Sequence, residues 1–120
     1  MKILVVDDSK AMRMIVMRTL RQAGYGKHET LEASDGAEGL EAVREHAPHL
    51  VLSDWNMPNM SGLEFLKALR SEGNEVKFGF VTTEATADMR SLAKDEGAEF
   101  VIAKPFTSES FESSLSPILG

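Results

Sequence analysis

Four apolar runs in this chain each end in residue types suited to metal or phosphate chemistry. Ile3, Leu4, Val5 and Val6 lead into Asp7 and Asp8. Leu50, Val51, Leu52 and Ser53 lead into Asp54. Phe78, Gly79, Phe80 and Val81 lead into Thr82 and Thr83, and Phe100, Val101, Ile102 and Ala103 into Lys104 and Pro105. Brought to one rim, the carboxylates would repel. Two unit charges about 4 Å apart cost roughly 4 kcal/mol at an effective dielectric near 20. Such a cluster calls for a cation, and all-oxygen ligation suits Mg2+ or Mn2+. Backbone carbonyls of the loop Trp55, Asn56, Met57 and Pro58 can complete the coordination. Lys104 and Thr82 extend the chemistry from metal binding to phosphoryl handling. Lys104 would neutralise one phosphoryl oxygen, the cation a second, and Thr82 would donate to a third. Positioning and charge neutralisation are most of phosphoryl-transfer catalysis, and a carboxylate can serve as the nucleophile.

Taken singly, each piece has a plainer reading. Asp7 and Asp8 would suit a helix cap, Asp54 a turn, and Lys104 with Pro105 a loop. Their placement, each at the end of its own run, makes the pattern. A cis bond before Pro105 would also fix the direction of the lysine.

The elements that must position these groups are legible as alternating apolar runs and helix-period segments, the signature of βα units around a parallel sheet. Continuous apolar runs are what strands buried on both faces look like. Strands are predicted at residues 2–7, 30–33, 50–54, 77–82 and 99–103, and helices at 10–23, 36–46, 62–71, 85–96 and 108–115. In the first helix Met12, Ile15, Val16, Thr19, Leu20 and Ala23 form one apolar face, with Arg13, Arg18 and Arg21 on the other. Asp35 before Glu38 and Ser61 before Glu64 have capping-box spacing. Gly24, Gly73 and Gly97 close the first, third and fourth helices. Pro117 is expected to end the last helix early. Right-handed crossovers then give an α/β fold, a five-stranded parallel sheet with helices on both faces. Strand order 2-1-3-4-5 makes the first and third strands neighbours, so Asp7, Asp8 and Asp54 meet at the switch point where ligands bind.

Composition narrows the function classes. A chain of 120 residues fits one domain. No cysteine means no disulfide framework and no thiolate metal site. A net charge of −6 without a Lys/Arg cluster argues against direct nucleic-acid binding. No apolar stretch approaches the length of a membrane span. Met1 leads straight into a strand, so no signal peptide is expected, and a cytoplasmic location is expected. His28, His46 and His49 lack metal-ligand spacing. Met14 and Met17 on the outer side of the first helix are expected to pack at the core edge, with a partner patch as the alternative.

The motifs Leu4-Val5-Val6-Asp7-Asp8-Ser9, Leu52-Ser53-Asp54-Trp55-Asn56-Met57-Pro58-Asn59-Met60-Ser61-Gly62, Val81-Thr82-Thr83-Glu84-Ala85 and Lys104-Pro105-Phe106 resemble response-regulator receiver domains, specifically the single-domain chemotaxis (CheY-like) type. The resemblance spans nearly the whole chain. It implies a flavodoxin-like (βα)5 fold, a single receiver domain over residues 1–120 and no output domain. It implies Asp54 as phosphoacceptor, Mg2+ bound by Asp8, Asp54 and the Asn56 carbonyl, and Asp7 helping through a water. Thr82 would sense the phosphoryl group and Lys104 would hold it. A histidine kinase, a phosphohistidine protein or a small donor such as acetyl phosphate would supply it. Asn56 and Glu84 would tune a fairly quick self-dephosphorylation. A monomer is implied, with a protein target on the face made by the fourth helix, fifth strand and fifth helix.

Two departures stand out. Receivers usually carry Tyr or Phe three residues before the lysine, where this chain has Val101. Phe100 should not substitute, because adjacent strand residues face opposite sides, so a modified switch is expected. The fourth helix lacks the lysines of the best-known chemotaxis proteins, so a flagellar-motor partner is not assumed. The resemblance also places Trp55 beside the phosphosite, partly exposed. Two other functions remain open. One is a Mg2+-dependent phosphohydrolase using an aspartyl-phosphate, although strand one ends Asp-Asp-Ser rather than Asp-x-Asp and no cap segment is evident. The other is a receiver-like binding module that works without phosphorylation.

Overall fold

A computed structural model describes all residues, Met1–Gly120. Five strands alternate with five helices: β1 (Lys2–Val6), α1 (Lys10–Gln22), β2 (Glu29–Ala33), α2 (Gly36–His46), β3 (Leu50–Ser53), α3 (Gly62–Ser71), β4 (Lys77–Thr82), α4 (Ala87–Asp95), β5 (Phe100–Ala103) and α5 (Ser108–Leu119). All neighbouring strands are parallel and the order is β2-β1-β3-β4-β5, as the sequence predicts. The alternation of strand side chains divides the core in two. Leu4, Val6, Val51, Phe78 and Phe80 face α2 and α3, meeting Val43, Phe65, Leu66 and Leu69. Ile3, Val5, Leu50, Leu52, Val81 and Ile102 face α1 and α5, meeting Val16, Leu20, Phe111 and Leu115.

Side-chain caps fix where each helix starts. Ser9, Asp35, Ser61, Thr86 and Thr107 each accept a hydrogen bond from the backbone N–H three residues on. Ser61 and Glu64 form the full reciprocal box, whereas Glu38 turns instead to the backbone and hydroxyl of Ser34. The cap on Thr86 starts α4 at Ala87, two residues later than periodicity alone suggests. Gly24, Gly73 and Gly97 follow their helices at φ of +100°, +78° and +96°, the left-handed conformation glycine tolerates.

Three expectations are corrected. The last helix does not stop before Pro117 but runs on to Leu119. Pro117 lies in its final turns, where the single lost donor would have served exposed Ser113, whose carbonyl water can reach. Ile15 is 37 % exposed, because the buried face of α1 centres on Val16, Thr19 and Leu20 and leaves Ile15 on its flank. Arg13, expected on the solvent face, is only 13 % exposed in its side chain, for reasons that belong to the site.

Gly79 shows how tightly the sheet is packed. It pairs with Phe100 across β4 and β5, and a Cβ there would lie 2.1 Å from the Phe100 ring. Overpacking of this kind costs about 1–3 kcal/mol. Gly79→Ala is therefore expected to lose about that much stability in urea unfolding, with much of the loss recovered when Phe100→Leu is added. A loss that Phe100→Leu does not relieve would contradict this packing.

Candidate functional site

The parallel ladder brings β1 and β3 side by side, and the chain leaves both at the same end. The Asp54 N–H donates to the Val6 carbonyl at 2.9 Å, so the two acidic ends are tied directly. Carboxylate oxygens of Asp7, Asp8 and Asp54 lie within 4.8 Å of one another. Asp7 is buried, Asp54 half-buried and Asp8 exposed. The donor set is all oxygen, is open on the Asp8 side, and matches what a hard divalent cation takes.

Lys104 arrives from the end of β5. Its Nζ lies 3.1 Å from Asp7 Oδ2 and 3.4 Å from Asp54 Oδ2, with a side chain only 10 % exposed. A cis bond joins it to Pro105. The Lys104 N–H donates to the Thr82 carbonyl at 2.8 Å, which ties the ends of β4 and β5 together. Asp7 Oδ1 accepts from the Ser9 N–H at 2.9 Å, and Asp54 Oδ1 from the Trp55 N–H at 2.7 Å. Burial pushes the Asp54 carboxyl above the ordinary carboxylate range, against the pull of the Lys104 ammonium and the Trp55 N–H.

This constellation has close counterparts. The family model for the response regulator receiver domain matches residues 3–116. The chain belongs to this family. It is 40 % identical to the chemotaxis protein CheY1 of Helicobacter pylori over all of this chain and 98 % of that protein. It is 36 % identical to a probable chemotaxis protein CheY of Rhizobium etli, over 99 % of this chain and 92 % of that one. The solved chemotaxis protein CheY4 of Vibrio cholerae superposes with a TM-score of 0.85 at 35 % identity, covering 98 % of each chain. The protein is thus a receiver domain of two-component signalling with chemotaxis-type relatives, and its family is one of phosphoacceptor switches. No helix is long and apolar enough to cross a membrane.

Within this receiver, Asp7, Asp8, Asp54 and Lys104 converge as the sequence predicts. Thr82 ends β4 fully buried, and its hydroxyl accepts from the Glu84 N–H at 3.2 Å. Asn56 and Glu84 sit on separate exposed loops, yet Asn56 Nδ2 donates to Glu84 Oε1 at 3.2 Å. Val101 packs toward the α2/α3 side of the core and Phe100 toward the α1/α5 side, so Phe100 does not take the missing aromatic's place. Trp55 is not partly exposed but buried at 9 %, because its ring lies 4.6 Å from that of Phe80 under the loop. His28, His46 and His49 stand apart from the acidic group, and His49 Nδ1 accepts from the Lys2 N–H at 3.0 Å.

Three supporting residues carry no assigned role in the motifs. Gly62 donates its N–H to the Trp55 carbonyl at 2.8 Å, and a Cβ there would lie 2.1 Å from the Asp54 carbonyl oxygen. Only glycine lets α3 start this close to the acidic loop. Asn59, at φ +67°, donates to Asp35 Oδ2 at 2.9 Å and fastens the same loop to the start of α2. Arg13 donates through Nη1 to the Asp7 carbonyl at 2.6 Å and through Nε to Glu32 at 2.9 Å, which explains its burial. Its spacing from Asp7, just over one helical turn past the cap, is the signal that could have revealed it.

The raised Asp54 has a stability consequence. A carboxyl whose folded pKa lies above its unfolded value binds more protons when folded. Stability therefore falls as pH rises from the unfolded value of 3.8 through the folded one. In the absence of divalent cations, Asp54→Asn is therefore expected to melt above wild type at neutral pH. The difference should shrink towards pH 3.5. A Tm for Asp54→Asn at or below wild type at neutral pH would contradict a strained acidic cluster.

Proposed function

We propose that this receiver accepts a phosphoryl group on Asp54 from a phosphohistidine of a partner histidine kinase, or from a small donor such as acetyl phosphate, in the cytoplasm and as a monomer. The convergence of Asp54 with Asp7 and Asp8 within 4.8 Å, and with the Lys104 ammonium at 3.4 Å, supports this reading above any other observation. Asp8, Asp54 and the Asn56 carbonyl would hold Mg2+ (Mn2+ would also suit), with Asp7 assisting through a water. When bound, the ion offsets negative charge on the acidic rim and on the incoming phosphoryl oxygens.

The chain's own residues do the rest. Trp55 N–H fixes one oxygen of Asp54, which sets the direction of the carboxylate that attacks phosphorus. The P–N bond of the donor breaks, its electron pair returns to the imidazole, and an acyl-phosphate bond forms to Asp54. Lys104 can leave Asp7 for a phosphoryl oxygen with little travel, because it already touches Asp54. Thr82 can turn its hydroxyl from accepting the Glu84 N–H to donating to another phosphoryl oxygen. Water attack then removes the group, and the Asn56–Glu84 pair at the mouth of the site sets how easily water enters. The protein acts on itself rather than turning over a substrate. The output is a change in affinity for a protein target at the α4–β5–α5 face.

Intact mass after incubation with acetyl phosphate and Mg2+ tests the reading. Wild type is expected to gain one phosphoryl group, only with Mg2+, and to lose it with time, while Asp54→Ala gains none. An adduct of equal yield on Asp54→Ala would reject Asp54 as the acceptor. Free, continuous turnover of the donor would instead favour a phosphohydrolase.

Lifetime gives a second prediction. Asn56→Ala and Glu84→Ala should each change the decay rate of phosphorylated protein, by up to roughly tenfold, about 1.4 kcal/mol of barrier. Because the two side chains touch, the double variant should depart from the product of the single effects. Decay identical to wild type in both single variants would remove the gatekeeping role.

A further inference from the structure

Arg90 joins the loop that follows Thr82 to the edge of the sheet. From α4 it donates through Nη1 to the Val101 carbonyl at 3.0 Å and through Nε to the Ala85 carbonyl at 3.4 Å. The guanidinium fork carries several donors in one rigid plane, so a single side chain can hold two acceptors on different elements. One acceptor lies on β5, the outermost strand. The other lies three residues past Thr82, in the segment that separates β4 from the α4 cap at Thr86.

We propose that Arg90 is the positioning residue that couples the phosphosite loop to β5, at the place where Val101 stands instead of an aromatic, and that phosphoryl capture by Thr82 releases it. This rests on the reading of Asp54 as phosphoacceptor. The Thr82 hydroxyl now holds the Glu84 N–H at 3.2 Å. Once the Thr82 side chain turns to donate to a phosphoryl oxygen, Oγ1 moves off the Glu84 N–H and the segment through Ala85 shifts. Ala85 carries its carbonyl away from Nε, which already sits at the long end of hydrogen-bonding range.

The guanidinium has room to move. Arg90 lines a cleft of about 440 Å3 between α4 and β5, together with Ala93, Lys94, Phe100 and Val101. It also lines a second cleft of about 330 Å3 on the α5 side, together with Val101, Ile102 and Phe106. Val101 borders both clefts as well. Arg90 is itself exposed, which keeps its two bonds weak enough to exchange for water. Release leaves the Val101 carbonyl free on the open sheet edge and uncouples α4 from β5.

Hydrogen–deuterium exchange on the full chain with Mg2+, with and without beryllofluoride as a phosphoryl mimic, tests this. In wild type the mimic should alter exchange at residues 82–86, with the Glu84 amide exchanging faster as it loses the Thr82 hydroxyl, and change it at residues 100–103. In Arg90→Ala the response at 82–86 should persist and the response at 100–103 should fall below half of wild type. Arg90→Lys, whose donors all sit on one nitrogen and lack the span of the guanidinium fork, should lie between. A wild-type-sized response at 100–103 in Arg90→Ala overturns the coupling, as does a wild-type response confined to 82–86. No response anywhere in wild type would instead reject the phosphoacceptor reading, and this proposal with it.

Discussion

The Lys104 ammonium, 3.1 Å from Asp7 and 3.4 Å from Asp54, is the contact on which the rest of the molecule depends. Three carboxylates crowded at the end of a sheet would push that end apart. One positive charge, delivered from the far strand, offsets part of the repulsion and ties β5 to β1 across β3 and β4. Ion pairs this secluded carry a large desolvation cost, so a pair kept here is better explained by function than by stability. The same charge that tolerates the resting cluster is already in place for an incoming anion.

Much of the scaffold exists to hold that geometry from behind. Gly62 lets α3 begin against the Asp54 carbonyl. Asn59 reaches Asp35 to pin the loop after β3. Arg13, held by Glu32, grips the carbonyl of Asp7. None of these groups needs to meet a phosphoryl group. Each fixes the backbone that carries a carboxylate, and small displacements of charged groups matter greatly where water is scarce. The loop after β4 is held differently, by single bonds to Thr82, Asn56 and Arg90, and so is the part free to respond.

The strands, their order and the acidic cluster were legible because they rest on local signals. Continuous apolar runs mark buried parallel strands, and the functional residues lie immediately after them. Capping residues such as Asp35 and Ser61 mark helix starts in the same local way. Local signals mislead where tertiary context overrides them. Pro117 is tolerated because its lost hydrogen bond falls on an exposed turn. Ile15 fits the helical period but lies beyond the surface that β1 and β3 cover. Trp55 is buried by Phe80, a residue twenty-five positions away whose ring no periodicity places there. Arg90 is unreadable as a partner because it bonds to backbone carbonyls, which carry no residue-type signal, and Arg13 offers only its spacing past the helix cap.

The most direct test of the charge balance at this rim is the melting temperature of wild type and Asp8→Asn, each with and without millimolar Mg2+. Asp8 is the most open of the three carboxylates, so its replacement disturbs the resting fold least. Mg2+ is expected to raise the Tm of wild type clearly more than that of Asp8→Asn, since a ligand that binds only the folded state stabilises it by RT ln(1 + [L]/Kd), and a weaker site gains less. Equal shifts in the two proteins, or none in wild type, would mean that the three carboxylates do not form the cation site and that their convergence needs another explanation.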